Sequence, residues 1–172
     1  MHNSAPASLS TYQQISIVCL RTVIGWHFLY EGYFKLVLPA WGLNGTHIGR
    51  WSSASYLDEA TGPVGHMLHA LLDEGWGQII DVAVIAALVG IGLSLLSGLL
   101  TQLGCYGAIV MLALFYVTAL PLDGVPHAGM EGNYLIVNKN LIELVAVTVV
   151  QSFHTGRIAG LDLFVAAWRK KP

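Results

Sequence analysis

Residues 82–122 form a run of 41 positions without one charged side chain. One bilayer crossing takes about 20 residues, so a run of that length reads as two spans folded back on each other. The turn between them is "SGLLTQLG", residues 97–104, where Gly and Ser interrupt the apolar sequence. The rest of the chain agrees: 55% of its 172 residues are hydrophobic and only 10% charged, against about 25% charged in a soluble domain. Two further apolar segments complete the set, giving spans at about 15–38, 78–97, 101–121 and 134–153. The expected fold is an all-α integral membrane protein, a four-transmembrane-helix bundle forming one domain over residues 1–172.

Charge placement orients the bundle. Four of the eight Lys and Arg residues, Arg157, Arg169, Lys170 and Lys171, follow the last span. The loop 39–76 sets one Arg against four acids (Asp58, Glu59, Asp73, Glu74), and loop 122–133 carries only Asp123 and Glu131. The positive-inside rule then puts both termini in the cytoplasm and both longer loops outside. That is the pattern of a multi-pass membrane protein. The first apolar run contains Arg21, Glu31 and Lys35 and has no basic residue before it, unlike a cleaved signal peptide. The net charge of −2 and the lack of a basic patch give nucleic acid no footing.

Outside the spans, "GPVGHMLHALLDEGWG" places Val64, Met67, Leu68, Leu71 and Leu72 at helical spacing, with Pro63 suited to a first turn. It is too short to span, so an outer interfacial helix is expected within loop 39–76. Trp41, Trp51, Tyr56 and Trp76 fall in the same outer layer, where aromatic belts form. The tail "GRIAGLDLFVAAWRKK" has apolar residues at 158, 161, 165 and 168 and a basic end. It reads as an amphipathic C-terminal helix lying on anionic membrane lipid.

The exception to this apolar pattern is "GWHFLYEGYFKL", residues 25–36, which carries Glu31 and Lys35 inside the first span. At 1.5 Å per residue, Glu31 lies about 10 Å and Lys35 about 5 Å below the outer end. The fourth span descends from about residue 134 and carries Lys139 at about 7 Å and Glu143 at about 13 Å. Both pairs are spaced i,i+4, so each occupies one helix face. Side by side, the antiparallel helices bring two acids and two amines to matching depths. Asp81 belongs to the same layer, and Asn138 adds an amide beside Lys139. Glu31, Asp81 and Glu143 against Lys35 and Lys139 sum to −1, so one carboxyl can hold a proton, as redox-coupled proton transfer requires. An intrahelical pair on each span is the plainer alternative, but buried ion pairs add little stability, and ionisable groups inside a membrane point by default to function.

His27, one turn below Glu31, either extends this polar layer or hydrogen-bonds within the bundle. His47, His66, His69 and His127 lie outside, without metal-binding spacing. No haem-attachment or iron–sulfur motif is present, and Cys19 and Cys105 lack the CxxC spacing of a thiol-redox enzyme. They read as small buried side chains.

Three stretches in order resemble the DoxX/DoxD family, particularly its DoxD-like branch. These are "LRTVIGWHFLYEGYFKL" in span one, "WSSASYLDEATGPVG" in the first loop, and "EGNYLIVNKNLIELVA" entering span four. The likeness covers roughly residues 16–165, with Arg21, Trp26, Glu31, Lys35, Trp51, Tyr56, Asn138, Lys139 and Glu143 on the shared motifs. It implies a four-helix protein of the prokaryotic cytoplasmic (inner) membrane, linked to the quinone pool. The best-defined relatives are membrane subunits of a thiosulfate:quinone oxidoreductase, and a partner subunit or homo-oligomer would then be needed.

On that basis the expected function is a quinone-reactive oxidoreductase subunit taking electrons from thiosulfate or a related donor. Glu31, Lys35, Lys139, Glu143 and Asp81 are the expected reacting groups. Trp26, Arg50, Trp51, Tyr56 and Asn138 are the expected binding groups, with the aromatics walling the quinone ring and Arg50 drawing in an oxyanion. The alternatives are a non-catalytic anchor or assembly subunit of a larger complex and a small proton-coupled transporter.

Overall fold

The computed structural model describes residues 9–37, 51–54, 57, 62–118 and 136–168, the side chains of 62–64 excepted. Every regular element among them is a helix: α1 (Thr11–Val37), α2 (Gly62–Asp73), α3 (Gly77–Ser97), α4 (Thr101–Thr118), α5 (Lys139–Ser152), a 3₁₀ turn (Thr155–Arg157) and α6 (Asp162–Trp168). The helix within loop 39–76 and the C-terminal helix stand where the apolar spacing puts them.

Two of these helices, α3 and α4, are long and apolar enough to cross a membrane. α3 is apolar around its whole circumference, which suits either a deep core or a lipid environment. Only 22% of its apolar window and 28% of that of α4 are buried. Ile79, Val82 and Leu93 on α3 and Leu103, Val110 and Leu114 on α4 instead point outward. The other two expected spans differ from these. α1 has 27 residues, but its polar and charged side chains lower its hydropathy, and α5 has 14, short of a full crossing.

α1 packs mainly on α3, and α5 mainly on α4. The buried face of α1 is Ile17, Arg21, Ile24, Gly25, Phe28 and Gly32, spaced by three, four or seven as one helix face requires. Glycine lets the α1 and α3 backbones approach closely. Gly92 faces the backbone of Leu29, Gly25 faces Leu95, and Gly32 faces Val89. Between α3 and α4, Leu88, Ile91, Leu95, Cys105, Ala108 and Leu112 meet Val147 and Val150 of α5 in one apolar core. α3 stops at Gly98, whose left-handed backbone (φ 66°) returns its N–H to Ser94 O, the usual glycine termination. The fold-back thus falls at residues 98–100, inside the turn read from the sequence. Cys105 is fully buried, while Cys19 is exposed, contrary to the expectation for that residue.

Candidate functional site

The i,i+4 repeat of His27, Glu31 and Lys35 draws one polar stripe along α1, on the side facing α5. Lys35 Nζ donates to Glu31 Oε2 at 2.5 Å, so this pair closes within its own helix. The bridge between helices is made one turn lower, where His27 Nδ1 and Glu143 Oε1 lie 2.7 Å apart. His27 Nε2 is also 3.9 Å from Glu31 Oε1, so one imidazole touches both carboxylates. The order His27–Glu31–Lys35 on α1, with Glu143 opposite His27, forms a continuous set of ionisable groups.

Exposure divides the set. Lys35 and Glu143 are mostly covered, at 13% and 14% of their side chains, while Glu31 and His27 are open at 37% and 42%. About two helical turns lower, Leu9, Tyr12, Gln13, Ser16, Ile17 and Leu20 line an open, largely apolar crevice against Val149 and Phe153, and the ionisable groups stand above it on the same two helices.

The expectation that α1 and α5 lie side by side holds, but the pairing is different. Lys139 is exposed and interacts with His27 and Glu31 through its charge, without forming a close ion pair with either. The reason is its position at the very start of α5, where its side chain extends away from the bundle. Glu143, one turn further in, meets His27 instead. His27 was the residue that spacing left undecided. It could have been found by continuing the Glu31–Lys35 spacing one turn down and matching its depth to Glu143.

Asp81 is the clearest correction. Its Oδ1 accepts from Ser53 N at 2.7 Å and from Ser53 Oγ at 2.6 Å, so it secures loop 39–76 and does not join the ion pairs. Asn138 is also a structural residue: its side chain caps α5 by accepting from Leu141 N at 3.0 Å, which satisfies one orphan donor of the first turn. Trp51 lies under the Lys35 ammonium, 5.3 Å from its ring centroid, a cation–π contact. Loop 39–76 is thus held at two points, Trp51 on Lys35 and Ser53 on Asp81. Trp26 does not wall that cluster. It is 61% exposed and begins a ladder with Tyr30 (6.4 Å) and Phe34 (6.2 Å from Tyr30) on the neighbouring flank of α1. Arg50 and Tyr56 lie outside the described residues.

Comparison of the chain with family models, curated proteins and solved structures finds no match.

Proposed function

We propose that the chain is a four-span membrane protein, with α1 and α5 as its first and last crossings, and that the α1/α5 crevice is a quinone-reactive site. The outward apolar surface of α3 and α4 supports the membrane setting: large exposed apolar areas mark contact with lipid or a partner. A lipid-soluble quinone needs an apolar entrance from the bilayer and, at its end, groups that supply protons to its oxygens. The observation that carries this reading is the His27–Glu143 contact at 2.7 Å with the His27 side chain still 42% exposed.

In this reading His27 meets a quinone oxygen and passes the proton. Glu143 orients the imidazole and balances its charge, as a carboxylate does for a working histidine. Glu31 is the next station outward, and Lys35 with Trp51 closes the outer end. Reduction of a quinone takes up protons together with electrons. The resemblance to the DoxX/DoxD family motivates thiosulfate or a related sulfur anion as the electron source, its oxidation being completed with a partner subunit. A second reading, an anchor for a larger membrane complex, draws support from the exposed Trp26–Tyr30–Phe34 ladder; pull-down from native membranes tests it.

Glu143→Gln keeps the size of the side chain and removes its charge. It should reduce thiosulfate-dependent quinone reduction in membranes by at least about tenfold, within the range of one acid–base group, while the protein stays folded and inserted. Glu31→Gln should also lower it. Unchanged turnover in both variants would end this proposal. Absorbance and lipid extraction of the purified protein check independently for bound quinone.

A further inference from the structure

At the opposite end of the bundle, three polar side chains are almost wholly enclosed: Arg21 (3% exposed), Thr101 (1%) and Thr155 (0%). Among the described residues, Arg21 Nε and Nη1 and the Thr155 hydroxyl have no hydrogen-bond partner, and the Thr101 hydroxyl has only the Asp162 carboxylate beside it. Buried polar atoms are normally satisfied, and each exception calls for a reason. These three come from three different segments, α1, α4 and the 3₁₀ turn, and a fourth group, the Asp162 carboxylate at the start of α6, meets Thr101 and lies beside Gly156 of the 3₁₀ turn.

Asp162 performs two tasks here. Its Oδ1 accepts from Leu100 N at 2.8 Å and its Oδ2 from Thr101 N at 3.0 Å, so it caps the N-terminus of α4, where a negative charge is favoured. It also stands near Arg21 without a direct ion pair: the Arg21 guanidinium packs on Gly98, whose carbonyl accepts from Asp162 N, so the two charges attract across this turn. Burial pushes the Asp162 pKa up, but the Thr101 and Leu100 donors and the Arg21 charge outweigh it and hold it below its ordinary value. The surrounding backbone is equally tight. Leu161 N donates to Ser97 O and Asp162 N to Gly98 O, while Gly98 and Gly160 meet so closely that a Cβ on either would clash. A Cβ on Gly156 would fall on Thr101 Oγ1 and Asp162 Oδ2.

What this knot holds in place is a helix with no buried residue. α6 exposes Leu163, Phe164 (72%) and Trp168 (79%), and Arg169, Lys170 and Lys171 follow directly. Arg157, also exposed, is on the adjoining turn. Exposed aromatics on a helix followed in sequence by three cations, with Arg157 on the adjoining turn, match one surface chemistry: apolar acyl boundary below, anionic headgroups above.

We propose that Arg21, Thr101, Thr155 and Asp162 form a clasp that mounts α6 in a fixed orientation against an anionic lipid surface. Asp162 attracts the concealed Arg21 across the turn, so releasing the C-terminal segment would leave a buried cation without that attraction. This cost keeps α6 docked, and the basic end then selects anionic over zwitterionic lipid. Each basic residue near such a surface strengthens binding about fivefold.

The test uses the full chain in vesicles containing brominated phosphatidylglycerol or brominated phosphatidylcholine at the same mole fraction. The quenching assigned to Trp168 is the difference between the protein and its Trp168→Phe variant. We expect severalfold stronger quenching by the anionic lipid, abolished when Arg169, Lys170 and Lys171 are all changed to Gln. Equal quenching by the two lipids would overturn the membrane partner, as would shielding of Trp168 that rises with protein concentration, which would indicate a second copy. Asp162→Asn should weaken the anionic preference and speed hydrogen exchange in α6 while α3 and α4 stay protected. Should both α6 readouts stay at the parent level, the clasp is refuted even if lipid preference persists.

Discussion

The glycine-mediated backbone contact between α1 and α3 gives a prediction that can be worked from distances. A Cβ built on Gly92 would lie 2.5 Å from Leu29 N, 2.7 Å from Leu29 Cα and 2.7 Å from Leu29 Cβ. Two of those three atoms are backbone, so no rotamer change relieves the contact; α1 and α3 must move apart. Two residues away on the same helix, a Cβ on Gly90 would meet nothing within 4 Å. Gly-to-Ala exchange in a helix interior favours the helix by about 1 kcal/mol, and both sites share that gain. Overpacking costs about 1–3 kcal/mol, and only Gly92 incurs it. Gly92→Ala should therefore be less stable than Gly90→Ala by roughly that amount, a difference of about 5- to 150-fold in the folding equilibrium at 1.4 kcal/mol per decade. Unfolding in mixed micelles followed by circular dichroism measures both variants. Equal stability of the two would refute the backbone contact and the α1/α3 register built on it. Because Leu29 lies between His27 and Glu31 in sequence, Gly92→Ala should also lower activity at the crevice, whereas Gly90→Ala should not.

Asn138→Ala should cost about 1 kcal/mol through the lost cap on α5, measured by the same unfolding, and Asn138→Asp should restore it; a variant that loses only quinone affinity would return Asn138 to the binding site. The depressed pKa of Asp162 means that its stabilising effect is complete well above its ordinary value of 3.8 and disappears as pH falls below that value. Docking of α6, followed through Trp168 emission, should therefore loosen below about pH 4, and Asp162→Asn should remove that pH step. The loss of quinone reduction in Glu143→Gln and the lipid preference of α6 complete the set.

Much of this architecture was legible from periodicity alone. The long charge-free run gave α3, the turn at Gly98 and α4, because apolar length and a glycine stop are local properties of the chain. The i,i+4 spacing gave the polar stripe of α1, because helix geometry fixes which residues share a face. What the spacing could not supply was the partner of each charge. Depth matched both Lys139 and Glu143 to the α1 stripe, but only the position of Lys139 on the first turn of α5 separates an outward ammonium from an inward carboxylate. Asp81 was misplaced for a related reason. Its depth was right, yet a donor pair on Ser53, 28 residues away in the chain, competes for its oxygens, and no sequence period reports that contact. Arg21 lay on a recognised motif without a role until the C-terminal segment returned to cover it, a long-range arrangement invisible to local patterns.

The packing explains why the ionisable groups gather where they do. α1 has one face locked to α3 by glycines and another bearing His27, Glu31 and Lys35, so its rotation is fixed by the first face and the second is presented to α5 as a consequence. α5 for its part is tied to α4, through the apolar core and through Gln151, which donates to Gln102 Oε1 and Tyr106 OH. The α1–α3 and α4–α5 pairs meet at the α3–α4 turn and core, and the only direct hydrogen bond between α1 and α5 among the described residues is His27–Glu143. Between two rigid pairs, that contact is where a change of protonation most directly alters how the helices meet. Under the proposed function, a quinone entering from lipid would meet its proton source at the one α1–α5 hydrogen bond among the described residues.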